Sequence, residues 1–103
     1  MISKATLYLG LNDKDTKLPA YDLVEAYKIA TNLVAERFGG GTISSADGIY
    51  RHDDGSIVIE KTLRIELLFA ERQSVREFCG LLKEMFNQES VAVQWEEINS
   101  ELI

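Results

Sequence analysis

The chain is poor in the residues that punctuate, staple or metallate a fold: it holds one proline, one cysteine and one histidine in 103 residues. A lone Cys79 closes no intramolecular disulfide, which sets aside a disulfide-stapled secreted miniprotein and fits a reducing cytoplasm. His52 has only the adjacent Asp53 and Asp54 beside it, so no metal-ligand spacing is present and no metal is assigned. No apolar run approaches the ~20 residues that span a bilayer, and no membrane association is expected. The opening Met1-Ile2-Ser3-Lys4 shows neither the apolar stretch nor the small-residue cleavage site of a leader, so a cytoplasmic location is expected. Basic residues stop at Lys83, while Glu84, Glu89, Glu96, Glu97 and Glu101 follow. The net charge of −6 is therefore concentrated at the end of the chain, and the preceding residues are nearly neutral. With no basic patch interleaved with aromatics, direct nucleic-acid binding is disfavoured. What is present, 46% apolar and 27% charged residues, suits a single domain over residues 1–103 around one core.

Hydrophobic periodicity gives six elements. Ala5, Leu7, Leu9 and Leu11 alternate with Thr6, Tyr8 and Gly10, the mark of a half-buried strand. After the polar loop 12–17, Leu23, Tyr27, Ala30, Leu33, Val34 and Phe38 recur at helical spacing. This predicts a helix from about Pro19, or from the Asp22–Glu25 capping box, to Phe38. Gly39-Gly40-Gly41 ends it. Thr42–Arg51 and Ile57–Phe69 then read as a hairpin. Asp54-Gly55 predicts a two-residue type I′ turn, which sets Tyr50 opposite Ile59, Ala46 opposite Leu63 and Ser44 opposite Ile65. Asp47-Gly48 suggests a bulge in the first of these strands. Ile57, Ile59, Leu63, Ile65, Leu67 and Phe69 share one face of the second. Val75, Phe78, Cys79, Leu82, Met85 and Phe86 predict a second helix over 72–86, with Ser74 and Glu77 as a capping box and Asn87 as a left-handed cap. Val91, Val93 and Trp95 alternate in a last strand.

The order β-α-β-β-α-β, with right-handed crossovers, predicts an α+β, ferredoxin-like fold. Its four-stranded antiparallel sheet has spatial order 4-1-3-2, with two helices on one face. The other face has no helix to cover it and should display Thr6, Tyr8, Glu60, Thr62, Arg64, Glu66, Gln94 and Glu96. A mixed polar face of this kind is either solvated or used. Tyr8 is suited to stacking and Arg64 to a two-pronged grip on a carboxylate or phosphate, with Glu60 and Glu66 nearby. The exposed edges make a homo-oligomer the expected state.

The remaining chemistry-bearing residues have plain structural readings. His52 sits at a hairpin tip, Cys79 on an apolar stripe, and the triple glycine follows a helix rather than preceding one, the wrong polarity for a phosphate cradle. Asp53-Asp54 and Glu96-Glu97 lack partner acids at a defined distance. No convergent catalytic set emerges, so no catalytic residue or cofactor is assigned.

The strings Tyr8-Leu9-Gly10-Leu11, Phe38-Gly39-Gly40-Gly41-Thr42, Ala46-Asp47-Gly48-Ile49-Tyr50-Arg51 and Glu60-Lys61-Thr62, with Asn87-Gln88-Glu89-Ser90-Val91, together resemble a bacterial family of small proteins of unknown function. An aromatic near Tyr50 and a Gln-Glu-Ser-Val junction before the last strand mark that family. The chain also resembles hypothetical proteins of Gram-positive bacteria and their mobile elements. The resemblance directs attention to Glu60 and to Gln88 and Glu89, which are hard to explain as core. The function expected from these readings is a non-enzymatic oligomeric module binding a small polar ligand or a protein partner through Tyr8, Glu60, Arg64, Glu66, Gln88 and Glu89. Two alternatives stand beside it. One is an acidic inhibitor of a host nucleic-acid-binding or defence protein, encoded by a mobile element; the other is a dimeric α+β barrel-type enzyme using His52, Tyr8 or Glu60.

Overall fold

In the computed structural model, which describes residues 3–103, alternation and helical stripes resolve into the expected order of elements. Met1 and Ile2, where the leader reading begins, lie outside the described residues. The elements are β1 (Ser3–Gly10), α1 (Leu23–Phe38), β2 (Thr42–Arg51), β3 (Ile57–Leu68), α2 (Arg72–Met85) and β4 (Ala92–Glu97). The sheet runs β2-β3-β1-β4 with every neighbouring pair antiparallel, the 4-1-3-2 order read from its other edge. The fold is ferredoxin-like α+β.

The core lies on one side of the sheet. Leu7, Leu9, Leu63, Ile65 and Leu67 face Ala26, Ala30 and Val34 of α1 and Val75, Phe78 and Leu82 of α2, all buried. Burying a leucine, isoleucine or phenylalanine side chain contributes about 1.5–3 kcal/mol, so this layer is the main source of stability. Phe38 meets Phe78 edge-on at 5.2 Å, and Tyr21 meets Phe86 at the same distance, closing the two ends of the helix layer. Gly41 allows the α1–β2 turn to approach the core: a Cβ there would lie 2.8 Å from Val34 Cγ1.

The helix ends follow from local chemistry. α1 begins at the later of its two expected starts, because the Asp22 carboxylate accepts the Glu25 N–H and caps the first turn. Pro19 instead bridges to Asn12 in the preceding loop. Gly39 ends the helix at φ 75°, a left-handed conformation. At α2 the Ser74–Glu77 capping box does not form. The cap position is Glu71, which makes no side-chain cap bond, and Ser74 already lies inside the first turn. The Arg72 guanidinium sits 4.6 Å over the Trp95 ring and ties the helix start to β4.

The hairpin departs from expectation in two ways. Its turn is a three-residue loop, Asp53-Asp54-Gly55, closed by His52 N–H to Ser56 O and Gly55 N–H to His52 O, with Gly55 at φ 89°. A type I turn followed by a left-handed glycine makes such a loop, and it shifts the register by one residue from that of a two-residue turn. Tyr50 pairs with Val58, Ala46 with Thr62 and Ser44 with Arg64. A one-residue shift moves every β2 side chain to the other face, so Tyr50, Gly48, Ala46 and Ser44 join the uncovered face. The ladder is also continuous from Thr42 to Arg51, with no bulge at Asp47-Gly48.

The aliphatic row of β3 is only half covered. Leu63, Ile65 and Leu67 are buried, but Ile57 and Ile59 are 64% and 65% exposed because the helices stop short of the outer hairpin. β3 ends at Leu68, where Phe69 turns to a positive φ of 60°.

Candidate functional site

At the end of the uncovered face nearest the hairpin turn lies an open cleft of about 600 Å³. Its floor is the sheet. Gly10 of β1, Ala46 and Gly48 of β2, Thr62 of β3 and Ala92 of β4 are small residues that keep the floor low between the taller Tyr8 and Tyr50. His52 packs edge-on against Tyr50 with ring centroids 5.4 Å apart and extends that wall. The opposite wall comes from two connections, the β1–α1 loop with Asn12, Asp13, Lys14 and Lys17, and the α2–β4 junction with Gln88, Glu89 and Ser90.

Glu60 stands at the centre of this arrangement. It lies on β3 opposite Gly48, and its carboxylate rests over Gly10, where a Cβ would fall 2.6–2.8 Å from the carboxylate atoms. Glycine is required for that approach. Oε2 accepts the Asn12 N–H at 2.8 Å, while Oε1 accepts no hydrogen bond among the described residues. The Asn12 carbonyl in turn accepts Gln88 Nε2 at 2.6 Å, so Asn12 is gripped from both sides by two cleft residues. Gln88 also donates to Phe86 O at 3.2 Å, which fixes its amide orientation.

A second latch holds the β1–α1 loop against the junction. Asn87 has φ 47° and donates through Nδ2 to Asp13 Oδ2 at 3.0 Å and Asp15 Oδ2 at 2.8 Å. Its carbonyl accepts the Lys14 N–H at 3.0 Å. The other Asp13 oxygen accepts the N–H groups of Asp15 and Thr16. The Asn87 amide, followed by the Thr16 and Asp15 N–H groups, holds the Asp13 carboxyl below the usual carboxylate range.

Of the six residues singled out in the sequence, Tyr8, Glu60, Gln88 and Glu89 meet in this cleft. Arg64 and Glu66 do not. They pair with each other at 2.6 Å further along the same face, where Glu66 also lies 3.7 Å from Lys4. Tyr8 is their neighbour in register with Arg64, and its hydroxyl lies 3.5 Å from Gln94 Oε1. Thr6 shares that face but is buried, set between Glu66 and Gln94 in the ladder. Cys79 lies in the core on the helix side of the sheet, and burial raises its thiol pKa.

Sequence reasoning assigned no site role to Gly10, Asn12, Lys14, Lys17 and Gly48, named Tyr50 only as a mark of the resemblance, and gave His52 a role only in the enzyme alternative. Tyr50 and Gly48 were hidden by the assumed hairpin register. The loop residues carried no local signal, because only tertiary contact with Asn87 and Gln88 brings them to the site. Among the described residues no group of three or more histidines, cysteines or acids is placed to hold a metal ion.

No protein-family model matches the sequence, and no curated protein does. Solved structures do match. A phage SAM lyase in complex with S-methyl-5'-thioadenosine aligns with a TM-score of 0.69 at 24% identity, covering 93% of this chain and 81% of that one. A phage SAM lyase in the apo state aligns with a TM-score of 0.63 at 24% identity, covering 91% of this chain and 78% of that one. The chain shares its fold with these enzymes.

Proposed function

We propose that the cleft binds S-adenosylmethionine and that the chain is a lyase releasing S-methyl-5'-thioadenosine from it. The observation that carries this reading is the convergence of Tyr8, Tyr50, His52, Glu60 and Glu89 on one cleft with a low floor of small residues. A floor of glycine and alanine between two tyrosines accepts a planar heterocycle such as adenine, with an aromatic side chain at either side. Glu60 and Glu89 offer negative charge to a ligand bearing a sulfonium and an ammonium group. The shared fold with phage SAM lyases supports the choice of ligand among those this geometry admits.

Cleavage without water sends the C–S electron pair onto sulfur, and the sulfonium leaves as a neutral thioether. The carbon it leaves is completed when the substrate's own carboxylate closes on it, or when a neighbouring proton passes to a base. Glu60, whose Oε2 accepts the Asn12 N–H while its Oε1 accepts no hydrogen bond among the described residues, would orient the ammonium group in the first case and act as base in the second. A binding module using the same cleft is the competing reading, and turnover separates the two. Purified protein incubated with S-adenosylmethionine is expected to form S-methyl-5'-thioadenosine, detected by chromatography and mass spectrometry, and Glu60→Ala is expected to abolish it. Binding without turnover would leave the module. The absence of both would remove the reading.

The expected homo-oligomer is carried by a separate observation. Ile49, Ile57 and Ile59 form a largely exposed aliphatic patch on the helix side of the outer hairpin, and we infer that a second copy covers it. Light scattering is expected to give more than one chain per particle for the wild type and a monomer for Ile59→Lys.

A further inference from the structure

The two lysines of the cleft are unusual in having acids beside them in sequence and no ion pair. Lys14 lies between Asp13 and Asp15, and Lys17 two residues beyond, yet among the described residues neither forms a salt bridge. The reason is visible in the hydrogen bonds. Asp13 is occupied by Asn87 Nδ2 and by the N–H groups of Asp15 and Thr16, and Asp15 is occupied by the same Asn87 amide. The Lys17 ammonium donates to the Lys14 carbonyl, which folds it back over its own loop, and the Lys14 backbone is fixed to Asn87. Asn87 therefore takes up the hydrogen-bonding capacity of both acids without removing their charge, and two cations that line the cleft are left outside any salt bridge among the described residues. The wall formed by the β1–α1 loop thus presents two ammonium groups to the cleft, beside Asp13 and within the same cleft as Glu60.

We propose that Lys14 and Lys17 form the subsite for the α-carboxylate of the ligand's amino-acid chain, and so select an adenosyl amino acid over a bare thioadenosine nucleoside. This rests on the proposed S-adenosylmethionine reading and adds the polarity with which the ligand lies: its amino-acid end toward Glu60 and the β1–α1 loop and its adenine toward Tyr50 and His52. An ammonium group binds a carboxylate as a point charge through charge-assisted hydrogen bonds, and two of them on one wall of the cleft converge on a single carboxylate, which one surface lysine does not.

The test compares two stable ligands that share the thioadenosine nucleoside and differ in whether the aminobutyrate chain is present, S-adenosylhomocysteine and S-methyl-5'-thioadenosine, by titration calorimetry on the full chain. The wild type is expected to bind S-adenosylhomocysteine more tightly. The doubly substituted Lys14→Gln, Lys17→Gln protein should lose about tenfold or more in affinity for S-adenosylhomocysteine while its affinity for S-methyl-5'-thioadenosine stays within about twofold. The doubly substituted Lys28→Gln, Lys83→Gln protein, altered on the helices outside the cleft, controls for net charge and should change neither. The selectivity of the wild type should also shrink as salt is raised. Equal loss for both ligands, or no loss for either, overturns the lysine subsite while leaving the nucleoside cleft in place. A wild type that binds neither ligand overturns the S-adenosylmethionine reading and the subsite with it. Both lysines are exposed, and a melting temperature equal to wild type verifies that the variants fold.

Discussion

Replacing Gly10 by alanine tests the site through a residue that has no side chain of its own. A Cβ at this position would lie 2.6 Å from Glu60 Oε1, 2.7 Å from Cδ and 2.8 Å from Oε2, well inside van der Waals contact. At Gly10 the β1 backbone is held in its ladder with β3, opposite Thr62, and the carboxylate at the end of a side chain moves more easily than the strand. Moving it breaks the 2.8 Å bond from Asn12 N–H, and with it one half of the grip on that loop. A hydrogen bond to a charged group contributes about 1.5–3 kcal/mol, less here because the site is only partly buried. Alanine returns about 0.5–1 kcal/mol over glycine in a strand through the unfolded chain. The net loss is about 1 kcal/mol, which for a domain of this size lowers the melting temperature by roughly 4–8 °C with the fold intact. Turnover should fall far more, by at least about tenfold, since a displaced acid or base loses its reach to the substrate.

The decisive arm is a double-mutant cycle. In a Glu60→Ala background there is no carboxylate for the added methyl group to meet, so Gly10→Ala should there be neutral or stabilising by about 0.5–1 kcal/mol. Equal destabilisation in both backgrounds would refute the reasoning, since the glycine would then serve the strand rather than the carboxylate. Wild-type turnover in Gly10→Ala would refute it from the other side.

Two further predictions concern groups around the site and beneath it. Asn87→Gly keeps a residue at ease with positive φ but removes the amide that holds Asp13 and Asp15. Asp13 has a depressed folded-state pKa, so its stabilisation is present above the unfolded value of about 4 and is lost as pH falls through the lower folded value. The melting-temperature gap between wild type and Asn87→Gly should therefore be full at neutral pH and narrow on acidification. A gap that is constant down the acid limb would contradict the latch. Cys79 is buried in the α2 layer, and its raised pKa leaves little thiolate in the native state. A thiol reagent at pH 8 should modify it no faster than the chain opens and at once in denaturant; rapid labelling of native protein would contradict its place in the core.

The sheet was legible because β1 and β3 alternate cleanly and their apolar residues have one core to face. Ala5, Leu7, Leu9, Leu63, Ile65 and Leu67 are buried as their spacing requires, and the helix stripes supply the opposing layer. The four strands, their order and the uncovered face follow from that periodicity together with the handedness of the crossovers. β2 was not legible in the same way. Its polar and apolar residues do not alternate strongly, so its register rested on the turn alone, and Asp-Gly is compatible with both a two-residue loop and a three-residue loop ending in a left-handed glycine. The cleft was half legible. Tyr8 and Glu60 follow from the face assignment, whereas the Asn12–Gln88 and Asp13–Asn87 contacts join residues 76 and 74 positions apart, and no local pattern encodes them.

The hairpin loop is therefore more than a connection. With a two-residue turn, Ile49 and Asp47 would line the floor, and Tyr50 and Gly48 would face the helix side. The three-residue loop reverses this: Tyr50 becomes a wall of the cleft, Gly48 lies beside Glu60, and Ile49 is turned outward against Ile59. The exposed isoleucines and the cleft wall are thus two faces of the same strand pair, related by alternation along β2. Because the outer hairpin extends beyond the helices, those isoleucines forgo the stabilisation that the inner residues Leu63 and Ile65 gain by burial, about 1.5–3 kcal/mol per side chain. A second copy covering them would recover part of that free energy and would hold the strands carrying Tyr50, Gly48 and Glu60 against bending. On the proposal of a second copy, the apolar residues of the outer hairpin would have a physical use: assembly on one face of the arm would stiffen the strands that carry the cleft on the other.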